Sequence, residues 1–216
     1  MASGGRHGVV MSLPITSTKT ERSKTPNPWV LSDRALTVFY GCPEMPRLSH
    51  YFLPRLLFAK KQILYLDGAN QISPLLLARF ARERGVDSSS VNSLIRVARA
   101  FTCFQLTELV RRVPKALEKF PADVLIVTAL PDLYFDEDVR DREARASFEH
   151  ALEGLGNVAP LSLSIAVFSD ATSFKTKRRD FFQRLRNRAD QVVKVESTPE
   201  NKLSFTREKN TPLFPA

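Results

Sequence analysis

Cysteine is scarce in this sequence. Cys42 and Cys103 are the only two among 216 residues, and no ligand spacing surrounds them, which argues against a disulfide framework or a zinc module. They read as reduced thiols of a cytoplasmic protein. His7, His50 and His150 are scattered and suggest no metal site, and neither a nucleophile elbow nor a carboxylate pair of recognisable spacing is present. Long apolar runs are also missing: a stretch such as Leu161 to Phe168 is far too short to span a bilayer. Ser, Thr and Pro interrupt the first residues, so a secretory signal is not expected there. No internal repeat is visible.

What the chain does have is enough apolar material for one full-sized domain, at 43% hydrophobic and 25% charged residues. It also has an excess of positive charge, 32 basic against 23 acidic side chains, for a net +9. That balance favours polyanionic partners such as nucleic acid. The excess is uneven. Lys175 to Arg188 holds seven basic residues and one acid (Asp180), whereas Asp136 to Glu153 holds seven acids and three arginines.

Residues 1–33 read as a flexible arm rich in Ser, Thr, Gly, Pro and Lys, with Pro-Asn-Pro around Asn27 disfavouring helix and sheet. Trp29 in this arm is expected to pack on the domain edge. Residues 34–216 read as the domain. Short apolar runs at Ala35–Tyr40, Gln62–Leu66, Leu94–Ala98, Asp123–Leu130 and Leu161–Ser169 predict strands. Helices are predicted over Tyr51–Lys60 (kinked or begun near Pro54), Pro74–Arg84 (Ser73 as N-cap, Gly85 beyond its end), Cys103–Lys119 with an interruption at Pro114, Arg142–Leu155 and Phe181–Arg188. Gln191–Glu196 and Lys202–Arg207 predict closing strands. Strands without clean alternation, separated by helices, point to an α/β doubly wound core, mostly parallel, with helices on both faces and an antiparallel C-terminal hairpin.

Several segments, in order, resemble the RecA/RadA recombinases and their KaiC-like relatives. Gln62 to Asp67 resembles their "VLYIDTE" strand. Arg79 to Gly85 with Ile95 to Phe101 is similar to "ER-x-G … N-(V/I)-x-x-ARA-(F/Y)", and Gln105 to Leu109 falls where the family has "HQ-x-x-LL". Asp123 to Val127 resembles the strand of the second nucleotide-binding motif. Ala189 to Val193, then Phe205 to Lys209 and Pro212, resemble the ending "AD-x-V-x-x-L … KSR-x-x-P". The resemblance covers roughly residues 35–214 and implies a RecA-like P-loop domain.

The resemblance also implies where nucleotide chemistry should sit, and there the residues depart from it. A phosphate loop, G-x-x-x-x-G-K-S/T, needs glycines so that backbone N–H groups wrap the phosphates, a Lys for the outer phosphates and a hydroxyl for Mg²⁺. Here Gly41 is kept, but Pro46 replaces Gly, Arg47 replaces Lys and Leu48 replaces the hydroxyl, while Glu44 adds negative charge. Proline lacks the N–H, and leucine ligates no metal. The water-activating Glu of the family maps to Ala69, and the Mg²⁺-associated Asp to Thr128, with Asp132 four residues too late. The expectation is a pseudo-ATPase with no cofactor.

The family's second DNA-binding loop maps onto Ser169 to Arg188. Lys175, Lys177, Arg178, Arg179, Arg184, Arg186 and Arg188 are therefore candidate nucleic-acid contacts, with Phe174, Phe181 and Phe182 interleaved as stacking platforms or as core anchors. The first such loop maps onto the acidic Tyr134 to Arg145 stretch, which repels phosphate; an acidic-to-basic contact between subunits would reconcile the two. The arm holds no Phe before Phe39, which speaks against the family's Phe-linker mode of self-polymerisation. The leading expectation is an inactive RecA-like accessory of DNA repair or recombination, nucleoid-associated if it binds DNA. Its partner would be single-stranded DNA, or a recombinase or DNA polymerase. The alternative is a structural subunit pairing with an active RecA-family ATPase without binding DNA. A third reading is an ATPase or nucleotide sensor with an atypical loop around Arg47.

Overall fold

The computed structural model describes residues 31–42, 45–161, 163–197 and 203–210. The expected arm thus lies, up to residue 30 and including Trp29, outside the described residues. Leu31 packs on the core, and Ser32 Oγ accepts a hydrogen bond from Gln191 Nε2 at 2.7 Å.

Among the described residues seven strands form one sheet: β1 (Leu36–Tyr40), β2 (Ile63–Asp67), β3 (Ile95–Arg99), β4 (Val124–Thr128), β5 (Ser164–Ser169), β6 (Gln191–Ser197) and β7 (Leu203–Asn210). Their order is β3-β2-β4-β5-β1-β6-β7. All neighbours pair in parallel except β6 and β7, which form the expected antiparallel end. The four central strands β1, β2, β4 and β5 are buried at every residue. Their near-continuous apolar runs follow from helices covering both faces. The edge strand β3 is exposed at most positions.

Helices α1 (Met45–Phe58), α2 (Pro74–Glu83) and α3 (Ser88–Ser93) cover one face, packing Phe52, Leu53, Leu77 and Val91 onto it. Helices α4 (Cys103–Arg111), α5 (Val113–Lys119), α6 (Asp141–Val158) and α7 (Arg179–Arg188) cover the other through Leu106, Val113, Phe148 and Phe181. The α2 start matches expectation: Ser73 Oγ accepts from Leu75 N at 3.2 Å, Pro74 opens the helix, and Gly85 follows at φ +62°.

One expectation needs correction. Helix α1 begins at Met45 rather than near Tyr51, because Met45, Leu48, Phe52 and Leu57 form one buried stripe that carries the helix through Pro54. The interruption expected at Pro114 is present: two helices meet at Arg112, and Pro114 stands in the first turn of the second. The Ser-rich α3 was not expected; Asp87 caps it, accepting from Ser90 N at 3.1 Å.

Candidate functional site

Helices leave the sheet on opposite faces after β1 and β5, and again after β2 and β4. In open α/β sheets such divergence opens crevices at the carboxyl ends of the strands, where ligands bind. This edge is where the implied nucleotide positions fall.

The turn after β1 is short. Only residues 41–44 separate β1 from α1, and Met45 N closes the turn onto Cys42 O at 3.0 Å. Pro46, Arg47 and Leu48 therefore belong to the first turn of α1, not to an extended loop. Leu48 points into the core and Pro46 is half-buried. Arg47 is exposed and gives its Nε to Gln71 Oε1 at 3.2 Å. Gly41 has a local reason of its own: φ is +123°, and a Cβ there would lie 2.6 Å from the Val195 carbonyl of β6.

Beneath this turn the polar groups satisfy one another. Asp67, at the end of β2, is fully buried and accepts from Gln71 N at 3.1 Å, Ile72 N at 3.0 Å and Thr128 Oγ1 at 3.3 Å, with Arg99 Nε at 3.8 Å. Thr128 Oγ1 in turn accepts from Ala69 N at 3.1 Å, so the structure brings together the two positions that the resemblance marks as catalytic. What joins them is a hydroxyl-to-amide clasp; neither offers a carboxylate. Next to it, Ser49 Oγ donates to Pro46 O at 2.7 Å and lies 2.6 Å from the buried Tyr65 hydroxyl. Burial raises the Tyr65 phenol well above its ordinary value.

A cavity of about 390 Å³ opens beside this clasp, between Pro46, Ala69, Ala129 and Phe174. Its polar lining is Gln71 and three acids, Asp132, Asp136 and Asp170, with no Lys or Arg among the described residues. Ala129 holds a left-handed φ of +59°, and the short 3-10 turn Asp132–Phe135 follows it. Asp132 is buried, accepting from Ser169 Oγ at 2.7 Å and Asp170 N at 2.8 Å. Burial outweighs those bonds and pushes its pKa up to about 7. Such a cavity repels polyphosphate. Among the described residues no cluster of three His, Cys, Asp or Glu is arranged to hold a metal ion. No helix of the described residues is long and apolar enough to cross a membrane.

The basic segment divides into two kinds of residue. Arg178 is only 8% exposed. Its guanidinium bonds the carbonyls of Tyr134 at 2.8 Å, Asp136 at 2.9 Å and Val139 at 2.5 Å, and Asp141 Oδ1 at 3.1 Å. It pins the acidic loop rather than facing solvent. Arg184 pairs with Glu149, and Arg186 with Glu208 at 2.8 Å while lying over the Tyr40 and Phe182 rings. The same Glu208 accepts from Tyr40, whose pKa is pushed up to about 12, by burial first and by this bond second. Lys175, Lys177, Arg179 and Arg188 are exposed and make no ion pair among the described residues. Phe181 is core, stacked on Phe148 at 4.5 Å; Phe182 leans on Tyr40; Phe174 is 43% exposed.

The acidic and basic segments are thus joined within one chain, through Arg178–Asp141 and through Arg145, which bridges Asp141 and Asp180 at 2.8 Å each. Charge alone had suggested a contact between subunits. No family model matches this chain. A search of curated proteins finds no match either. What the site does therefore rests on its own chemistry. Sequence reasoning missed the Asp67–Thr128–Ala69 clasp and the Asp132–Ser169 bond. The one signal for the latter was an acid near the end of β4.

Proposed function

We propose that the chain is a RecA-like domain without ATP hydrolysis that acts as an accessory of DNA repair or recombination, contacting single-stranded DNA through the segment between β5 and α7. The observation that carries this reading is the cluster of Phe174, Lys175, Lys177 and Arg179 on one exposed segment that follows the carboxyl end of β5, its cations without ion pairs among the described residues. Three cations neutralise phosphates, and an exposed ring stacks a base, which together suit sequence-tolerant single-strand binding. The acids at 136–138 nearby keep the affinity modest.

The RecA-like part is supported by the order in which the resembling segments fall along the sheet, on β2, β3, β4, β6 and β7, and by the turn after β1 at a switch point. Loss of hydrolysis is supported by Pro46 and Leu48 in the first turn of α1, by the Ala69–Thr128 clasp and by the acidic cavity. A gel shift with an oligo-dT strand tests the DNA part. Lys175→Glu/Lys177→Glu/Arg179→Glu is expected to weaken binding at least about tenfold; unchanged binding removes this reading.

A second reading, a subunit that pairs with an active RecA-family ATPase without touching DNA, is favoured by the β3 edge. The outer side of β3 pairs with no strand among the described residues, and Val97 on it is 41% exposed, with Phe101 (63%) just beyond its end. Under it the chain alone would bind no DNA, and Val97→Ser/Phe101→Ser would abolish co-purification with the ATPase.

A further inference from the structure

On the face opposite the basic segment, α1 and α2 rest on the sheet but scarcely on each other, unlike α4 and α6, which pack closely. Between α1 and α2 runs a groove of about 830 Å³. Tyr51, Pro54 and Phe58 form one wall, Leu76 and Phe80 the other. Arg47, Arg55, Arg79 and Arg84 surround it, and Glu83 is its one acid among the described residues. Glu83 is already held by Arg79 at 2.7 Å, so the groove keeps a surplus of positive charge. Arg55 has no ion pair among the described residues, and the Nε2 of the half-buried His50 has no hydrogen-bond partner among them.

We propose that this groove receives an acidic amphipathic segment of a partner protein, with apolar side chains against Tyr51, Phe58 and Phe80 and carboxylates on Arg47, Arg55 and Arg84. This is the helix-in-groove mode, read as apolar anchors at i, i+3 or i+4, and i+7 with charge complementary to the rim. Other occupants fit less well. The chain's own residues 1–30 carry Arg6, Lys19, Arg22 and Lys24 against Glu21, the same sign as the rim. A second copy offers exposed acids at Glu137, Asp138 and Glu143, but the apolar residues of α6 beside them, Ala144, Phe148 and Ala151, are buried in its own core and leave no apolar anchors for the groove. Stacked nucleic acid needs several open ring faces; Tyr51 is exposed, but Arg84 lies over the Phe58 ring at 5.2 Å and Phe80 is half-buried.

The inference is independent of DNA binding by the β5–α7 segment, and its test separates the two. A displayed library of random 16-residue peptides is panned against the full chain, and the strongest binder is synthesised with a fluorophore. Enrichment of Asp and Glu around apolar residues at helical spacing is expected. Binding should fall at least about tenfold (1.4 kcal/mol) in Arg55→Glu/Arg84→Glu and stay unchanged in Lys175→Glu/Lys177→Glu/Arg179→Glu. Both variants change exposed side chains, and their folding is checked by circular dichroism. No acidic enrichment, or equal binding by the Arg55/Arg84 variant, overturns the proposal. An oligo-dT strand that displaces the peptide and itself loses affinity in that variant assigns the groove to nucleic acid instead.

Discussion

At the corner between β1 and α1 the polar groups are consumed by the fold: Asp67, Thr128, Ser49 and the amide of Ala69 answer one another, and the adjoining cavity is acidic. From the end of β5 through α7 the fold consumes Arg178, Arg184 and Arg186 but leaves Lys175, Lys177, Arg179 and Arg188 in solvent. Both regions drew attention in the sequence for the residue types they hold. A functional surface needs polar groups with something left over, and only the second region has that.

The comparison can be broken most forcefully at Arg178. Arg178→Ala would strand the carbonyls of Tyr134, Asp136 and Val139, with an expected loss of about 3–5 kcal/mol in urea unfolding, the cost of removing one side of a buried charged network. A loss below about 1 kcal/mol would return Arg178 to the exposed group. Gly41→Ala follows, at about 2–4 kcal/mol, because the left-handed φ and the Val195 carbonyl both oppose a Cβ; a fall in thermal midpoint reads it.

Asp132→Asn sharpens the acidic side through pH. With its folded pKa near 7 against an unfolded value of 3.8, Asp132 favours the folded state fully below pH 3.8, and this contribution is lost as pH rises to about 7. Asparagine removes that slope. The variant should gain on the wild type by on the order of 2–4 kcal/mol between pH 4 and 8. Parallel stability curves would contradict the raised pKa. The smallest effect belongs to Lys175→Ala, Lys177→Ala and Arg179→Ala, each expected within about 0.5 kcal/mol of wild type in stability. Their effect should appear in DNA binding instead.

Much of the fold was legible because parallel strands buried on both faces write themselves as short apolar runs; β1, β2, β4 and β5 stand within two or three residues of where those runs lie. The start of α1 was hidden by Pro46 and Pro54, which read as loop signals although the stripe of Met45, Leu48 and Phe52 carries the helix past them. The Ser-rich α3 depends on a cap at Asp87 rather than on helix propensity. At the site, Arg178 was indistinguishable from Lys177 and Arg179, since burial is decided by contacts about forty residues away in sequence. The pairing of Asp132 with Ser169 is equally long-range. Charge patterns locate such segments; only packing sorts their members.

The most direct test is a fluorescence-anisotropy titration of the purified protein with labelled oligo-dT at two salt concentrations, with and without Mg-ATP. Binding that ignores Mg-ATP and weakens with a log–log salt slope of about −2, as three phosphate contacts on a single strand imply, is the expected result. Binding that requires Mg-ATP and is lost in Arg47→Ala would contradict it, and would restore nucleotide recognition to the corner between β1 and α1.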